Sequence, residues 1–280
     1  MLLAILLAGF AAVAEAPVRV VRLELQPVEG AAPSGVLRLT SAVDPDDSRD
    51  VRAGAETSLP AGSRWIVSGS IEGWWLQPEM LVVEPGDAPL VVTRKVWPTG
   101  RLEGTIELAD AKLSPPETLT VTIEQLPIRT AHPLPRGASV VCPVDRDRRW
   151  RCDLPAAPAL DLAFRAAAFV PLYRWDVAVA PGSVRKAGAL RLRRGSSVSG
   201  WAQVEEKGKL ANAKASLVRV VAEGADPLLR ERMRRPVVTA AVAMNGFFQL
   251  AGLEPGTYSV VVEQPGFAPA TLTPVEVFAS

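Results

Sequence analysis

The sequence predicts an all-β protein made of three antiparallel β-sandwich modules in tandem, and three observations predict it. Runs in which apolar and polar residues alternate recur along the chain, as in Leu160–Arg165 and Tyr258–Gln264. The 280 residues include 21 Gly and 25 Pro, which interrupt helices and punctuate strands. A segment of similar sequence also occurs three times, and about seven short runs in each copy favour a small sandwich.

The repeat is carried by an aromatic residue at a nearly constant interval. Trp74, Phe169 and Phe267 are separated by 95 and 98 residues. Nine positions before each of these aromatic residues lies a strand residue that we expect in the core, namely Trp65, Leu160 or Tyr258. Gly104 and Gly200 mark the starts of the second and third copies, 96 residues apart. The repeat divides the mature chain into modules at 15–97, 98–193 and 194–280.

Residues 1–14 predict an export signal. Leu2–Phe10 is an apolar run, and Ala12-Val13-Ala14 fits the small-x-small rule for cleavage. The run is shorter than the roughly 20 apolar residues that span a bilayer. The alternative is a buried first strand or helix. No later run of the sequence predicts a transmembrane segment in the mature chain.

Cys142 and Cys152 are predicted to form a disulfide. They flank a charged turn, and a β-hairpin centred on Asp147 would place them directly opposite each other. Opposed strand residues are close enough for a disulfide, which an oxidising compartment outside the cytoplasm would preserve. Two free thiols are the alternative.

The third module carries a set of turn and strand motifs at Val198–Gly200, Asn212–Ala215, Asn245–Phe248, Leu253–Tyr258 and Gly266–Phe267. On these motifs it resembles the carboxypeptidase regulatory-like domain, a transthyretin-like β-sandwich. The resemblance implies a non-catalytic module of the kind found beside peptidases, outer-membrane receptors and envelope proteins, in a fold grouped with carbohydrate-binding-like sandwiches. The other two modules keep the motifs in part, at Asp147–Trp150 and Ala157–Leu160 in the second and at Leu59–Gly62 in the first.

These motif positions have folding roles. Asn245-Gly246 can take positive φ at both centres of a two-residue hairpin turn. Gly256 after Pro255 fits a type II turn. Tyr258 can bury its ring while its hydroxyl binds a nearby backbone group, as in a tyrosine corner. Gly200, inside a strand, indicates a bulge or a close approach of another group to the backbone.

Composition excludes most catalytic chemistry. His132 is the one histidine, and alone it cannot supply the ligands of a zinc peptidase site. A Ser-His-Asp triad would have to use His132, but it lies in a Pro-rich segment that we expect to be an exposed loop. Asp44–Asp50 holds four Asp but has Arg where a calcium loop requires Gly, and we expect a solvated loop. A net charge of +1 does not favour nucleic-acid binding. We therefore expect no catalytic residue, metal or cofactor.

The seven Trp residues are the best candidates for binding. Trp65, Trp74 and Trp150 fall where the repeat places core aromatics. Trp75 points away from Trp74 if both lie in one strand, because side chains alternate between faces. Exposed Trp rings offer flat apolar surface for sugar rings or protein partners. Four Trp residues have no core-equivalent position, and these are our candidate ligand-binding residues: Trp75, Trp97, Trp175 and Trp201. The alternative is that their side chains pack between modules or between sheets.

The resulting functional prediction is an exported, non-catalytic bacterial protein of the cell envelope, either secreted or periplasmic. Its expected partner is a polysaccharide or an envelope protein. The alternative is an accessory arm of a peptidase or of an outer-membrane receptor system, which would act through protein–protein contacts.

Overall fold

The computed structural model describes residues 17–124, 134, 137–203, 210, 212–221, 224, 226–227, 230 and 236–278. The predicted export signal and His132 lie outside the described residues, as does most of the stretch from Ala225 to Arg235. Within that stretch the Arg230 N–H donates to the Asp226 carbonyl at 2.8 Å, which is one turn of helical hydrogen bonding. The chain separates into two compact units, Met1–Pro98 and Thr99–Ser280.

The first unit is a sandwich of two sheets. One sheet has the order β3-β2-β5-β7; in the other, β1 lies between β4 and residues 90–96 of β8, and β6 pairs with residues 96–98 of β8. Leu23, Leu37 and Trp65 are buried in its core. The strands are β1 (Val18–Pro27), β2 (Val36–Ser41), β3 (Ser48–Arg52), β4 (Glu56–Pro60), β5 (Arg64–Ser70), β6 (Trp74–Leu76), β7 (Glu79–Val82) and the first part of β8 (Leu90–Leu108).

The described residues of the second unit form two pairs of sheets. The first pair is β10-β9-β12-β13 and a three-stranded sheet in which residues 99–108 of β8 lie between β11 and β14. The second pair is β17-β16-β19-β20 and the two-stranded sheet β15-β18. The strands are β9 (Thr118–Ile123), β10 (Ser139–Pro143), β11 (Arg149–Pro155), β12 (Ala157–Arg165), β13 (Leu172–Val179), β14 (Val184–Leu192), β15 (Ser196–Trp201), β16 (Lys214–Arg219), β17 (Pro236–Ala241), β18 (Phe247–Leu253), β19 (Gly256–Glu263) and β20 (Ala270–Val277).

Alternation in the sequence decides which side of each strand is buried. In β11 the alternate residues Trp150, Cys152 and Leu154 are buried while the residues between them are exposed. In the sheets of residues 213–277, Leu217, Leu250 and Tyr258 are buried in a common core. The structure thus confirms the predicted all-β fold class, with one buried and one wet face on most strands.

Among the described residues of the second unit, a glycine lies opposite a large aromatic residue in two strand pairs. Gly104 is paired with Trp150 between β8 and β11, and Gly200 is paired with Phe248 between β15 and β18. A Cβ on Gly104 would lie 2.5 Å from the Gly188 carbonyl oxygen and 2.9 Å from the Trp150 ring, and one on Gly200 would lie 2.8 Å from the Phe248 ring. Glycine is required because the ring covers the backbone of the opposite strand, which confirms the close approach predicted for Gly200.

The repeated aromatic residue closes the same turn in all three places. The N–H groups of Trp74, Phe169 and Phe267 each donate to the carbonyl three residues earlier, at 2.9 to 3.1 Å. The residue before each aromatic has positive φ, with 75° at Gly73, 64° at Ala168 and 86° at Gly266. This is the position of a type II turn that favours glycine, so Ala168 carries backbone strain that the other two do not.

Two turn predictions were wrong in detail. Only Gly246 of the Asn245-Gly246 pair has positive φ, and hydrogen bonds from Gly246 to Ala243 and from Ala243 to Phe247 make the turn longer than two residues. The turn is therefore the three-residue kind with a final left-handed residue. Gly256 has a φ of 153° and begins β19, so it does not form a type II turn.

The predicted tyrosine corner is confirmed. Tyr258 is fully buried, and its hydroxyl donates to the backbone carbonyl of Glu254 at 2.9 Å. The bond satisfies the polar end of a ring that would otherwise bury an unpaired hydroxyl.

The disulfide Cys142–Cys152 is present, with a Cα–Cα distance of 5.3 Å, but its setting differs from the predicted hairpin. The hairpin is limited to the turn, where Val144 bridges to Trp150. Beyond it β10 pairs with β9 and β11 pairs with β8, so the two strands belong to different sheets. The disulfide therefore links two sheets, where we expected it to join neighbours within one.

Candidate functional site

Trp75 lies on β6 and Trp97 lies on β8, and both side chains are buried. They are opposite each other where β6 pairs with β8, and their rings meet edge to face with centroids 5.6 Å apart. Only 7% of Trp75 and 5% of Trp97 is exposed. A stacking site needs an open ring face, so the structure corrects our choice of these two residues as binding candidates.

Trp175 is half-buried on the edge strand β13. Its ring stacks on that of Tyr173, two residues earlier on the same face, with centroids 5.3 Å apart and an angle of 17° between the planes. Burial raises the pKa of the Tyr173 hydroxyl above its usual value. One face of the Trp175 ring is thus occupied by Tyr173, which leaves less of it for a ligand.

Trp201 is the most exposed of the four candidates, with 67% of its surface accessible. It ends β15 directly opposite Phe247, the first residue of β18, and the rings meet edge to face with centroids 5.4 Å apart. The outward side chains of these two strands form one surface, which we call the Trp201 face. Its members are Ser197, Ser199, Trp201, Phe247, Gln249 and Ala251.

Backbone hydrogen bonds hold the aromatic end of the Trp201 face. The Ala202 N–H donates to the Gly246 carbonyl at 2.9 Å, and the Phe247 N–H donates to the Asn245 side-chain oxygen at 3.0 Å. On the inner side of the same strands, Phe248 packs over Gly200. Trp201 must point outwards, because its neighbour Gly200 lies on the side that the core occupies.

The Trp201 face combines aromatic and uncharged polar side chains. Two rings lie at one end, and hydroxyl and amide groups of Ser199 and Gln249 follow along the strands. Aromatic rings provide apolar contact area, while the polar groups can donate and accept hydrogen bonds. Such a surface suits a neutral ligand with both apolar faces and hydroxyl groups. Phe247 was not among the binding residues predicted from the sequence, although strict alternation in β18 places it outside and Phe248 inside.

A charged cluster around Glu254 is structural. Its carboxylate accepts hydrogen bonds from Arg193 and, at 2.7 Å, from Arg219, whose guanidinium also lies 5.5 Å from the centre of the Tyr258 ring. Partial burial favours the neutral acid and opposes the effect of the two arginines. Their hydrogen bonds and charges prevail, so the pKa of Glu254 lies below its usual value. Every group in the cluster is already paired, which argues against a catalytic role.

A groove of about 690 Å³ crosses the sheet formed by β11, β8 and β14. Arg149, Arg151 and Lys186 line it, but so do the carboxylates of Glu103 and Asp145. The mixed charges do not favour the sulfate or phosphate groups that a purely basic groove would attract.

The acidic loop of the first unit is neutralised by arginines. Asp50 forms a two-pronged ion pair with Arg38, and Asp47 lies 3.5 Å from Arg49. Asp44 accepts a hydrogen bond from the Asp46 N–H at 3.1 Å, as in a turn. In the described part of the chain, no helix is long and apolar enough to cross a bilayer.

Comparisons with known proteins give distant structural likenesses. No family model and no curated protein matches the chain. The Bacillus anthracis TIE protein has a TM-score of 0.25 and 16% identity over 93% of the chain, which spans about half (48%) of that protein. A streptococcal ancillary pilin has a TM-score of 0.23 and 10% identity, covering 94% of this chain and 96% of its own. BcpA, the major pilin subunit of Bacillus cereus, has a TM-score of 0.26 and 11% identity at the same coverages. TM-scores this low assign no function, and the all-β fold rests on the strand pairing itself.

Proposed function

We propose that this chain is an exported, non-catalytic β-sandwich protein of the bacterial cell envelope that binds polysaccharide through the Trp201 face. The observation that carries the proposal is the pair of an exposed Trp201 and an edge-on Phe247 at the end of a polar strand face. A large exposed aromatic surface on a soluble domain is a common sign of a binding site. The disulfide between Cys142 and Cys152 supports an oxidising location, either secreted or periplasmic.

We further propose that the second unit consists of two related modules of the carboxypeptidase regulatory-like kind. Gly104 opposite Trp150 and Gly200 opposite Phe248 support this division, because both glycines occupy the same place in a strand pair. With the first unit, this gives the three modules expected from the repeat. Modules of this kind bind or position other molecules, and the sites described above offer no nucleophile with an activating base.

The test is a glycan-array screen of the purified protein, repeated with Trp201→Ala. Trp201→Ala should weaken saturable binding about tenfold or more, as expected for a central aromatic contact. Phe267→Ala is the matched control, because Phe267 is 54% exposed but lies in the turn after β19, off the Trp201 face. An equal loss of glycan binding in both variants would contradict the polysaccharide proposal. So would the absence of binding to every glycan on the array when the protein is folded.

The second candidate function is an accessory arm that contacts an envelope protein, such as a peptidase or an outer-membrane receptor. The half-buried Trp175–Tyr173 stack on the edge strand β13 favours it, because aromatic residues are enriched in protein interfaces. A blank glycan array followed by Trp175-dependent capture of one envelope protein would favour this function over the first.

A further inference from the structure

The two pairs of sheets in the second unit are connected by a linker, residues 193–195, between β14 and β15. Hinges in proteins are commonly a few residues at the ends of secondary-structure elements. Here backbone hydrogen bonds hold the linker. The Val170 N–H donates to the Arg193 carbonyl at 3.0 Å, and the Gly195 N–H donates to the Ala168 carbonyl at 3.1 Å. The linker is therefore attached to the turn at residues 166–170, which lies between β12 and β13 of the first pair of sheets.

The same turn also contacts the second pair of sheets. The Phe169 carbonyl lies so close to Gly252 of β18 that a Cβ on Gly252 would be 2.4 Å from the carbonyl oxygen. Gly252 has a φ of 77°, which glycine adopts more readily than other residues. A Cβ on Gly195 would lie 2.4 Å from the Gly252 carbonyl carbon. The turn, the linker and β18 thus pack backbone against backbone, and we call these three segments the joint.

Two arginine side chains connect the pairs of sheets beside the joint. Arg193, directly after β14, forms an ion pair with Glu254, which follows β18. On β12, Arg165 donates to the Val237 carbonyl of β17 and, at 3.1 Å, to the carboxylate of Glu124. The guanidinium is planar and rigid, so the bond to Glu124 fixes the direction in which Arg165 reaches the second pair of sheets.

Trp201 lies at the far end of a strand that begins at the joint. β15 starts at Ser196, directly after the linker, and ends at Trp201. At the usual rise of a β-strand, the Cα atom of Trp201 is about 20 Å from that of Gly195. A tilt at the joint would be carried along β15 and would displace the Trp201 side chain. A joint that does not tilt therefore keeps this side chain in one position relative to the first pair of sheets.

We infer that the joint is rigid, and that the second unit acts as a spacer which holds the Trp201 face in a fixed position relative to its first pair of sheets. Compact parts of a chain move relative to each other unless their interface prevents it. Contact between the backbones of Phe169 and Gly252 blocks closure of the joint, and the bond from Arg165 to Val237 resists its opening. The inference concerns the joint and does not depend on what the Trp201 face binds.

The test is a distance measurement by pulsed electron paramagnetic resonance on the full-length protein. Nitroxide labels are attached after Thr105→Cys in the first pair of sheets and Leu272→Cys in the second, because both positions are exposed. Cys142 and Cys152 are bonded to each other and do not react with the label. A single narrow distance distribution is expected. A broad distribution, or one with several peaks, would overturn the inference.

Gly252→Ala should widen the distance distribution about twofold or more, because the added Cβ must displace the Phe169 carbonyl. Gly137→Ala is the matched control. Its φ is 71°, so the backbone cost is similar, but a Cβ there would meet no atom within 4 Å. Gly137→Ala should leave the width unchanged. Equal widening in both variants would show that general destabilisation sets the width, and the inference would then be wrong.

Arg165→Met keeps the inference testable if Gly252→Ala fails to fold. It removes the hydrogen bond to Val237 from a side chain of similar length, and it should also widen the distribution. Arg101→Met is its control, because Arg101 pairs with Asp153 and both belong to the first pair of sheets. An unchanged width in Arg165→Met, or the same increase in both arginine variants, would contradict the inference.

Discussion

Ala168 holds a backbone conformation that costs free energy, and Ala168→Gly should stabilise the second unit. Its φ is 64°, a left-handed conformation that costs a residue with a Cβ about 1–2 kcal/mol. Glycine removes that cost but adds about 0.5–1 kcal/mol of chain entropy to the unfolded state. The difference predicts a net gain of about 0.5–1 kcal/mol, or a rise in Tm of about 1–4 °C for a unit of this size.

The adjacent Ala167 is a matched control for this prediction. It is exposed like Ala168 and belongs to the same turn, but its φ is not positive. Ala167→Gly should therefore lower the Tm, because only the entropic cost remains. Gly266→Ala tests the opposite direction, since a Cβ there would meet no atom within 4 Å and the loss would come from the backbone alone.

Differential scanning calorimetry of the full chain can follow all three variants through the transition of the second unit. The reasoning requires opposite signs for Ala168→Gly and Ala167→Gly. If both lower the Tm by the same amount, the strain attributed to the left-handed residue is refuted.

Two other predictions concern covalent and electrostatic links in the second unit. Replacing both Cys142 and Cys152 by Ala should lower the free energy of unfolding by about 2–3 kcal/mol, since the disulfide closes a short loop; urea titrations with and without reductant should differ for the wild type and coincide for the double variant. The pKa of Glu254 is lowered on folding, so its contribution to stability is present above its usual value and is lost as the pH falls through the folded value. Glu254→Gln should therefore lower the Tm at pH 7, and the difference in Tm between the variant and the wild type should become smaller at about pH 3. A difference in Tm that stays constant between these pH values would contradict the assignment.

Local sequence predicted the features that depend on neighbouring residues. The alternation around Trp150 and Cys152 gave the correct buried face, and the hydroxyl of Tyr258 found a carbonyl four residues away. The pairing of Cys142 with Cys152 also follows from their symmetric distance from Asp147.

Features that depend on distant strands could not be predicted. The two strands that follow the turn around Asp147 belong to different sheets, because β10 pairs with β9 and β11 pairs with β8. Similarly, alternation placed Trp75 and Trp74 on opposite faces but could not show that Trp97 lies across from Trp75. Whether a Trp is buried or open to a ligand depends on what covers its face, and that information is not local.

The link between sheets at Cys142–Cys152 also changes how the chain responds to tension. When a protein is pulled from its ends, each residue released from its strand adds about 3.3–3.6 Å to the extended length. The disulfide keeps residues 143–151 out of the load-bearing path, because force passes directly between Cα atoms 5.3 Å apart. The oxidised chain can thus be drawn out about 30 Å less than the reduced chain. Even after both sheets have come apart, the turn at Asp147 carries none of the load.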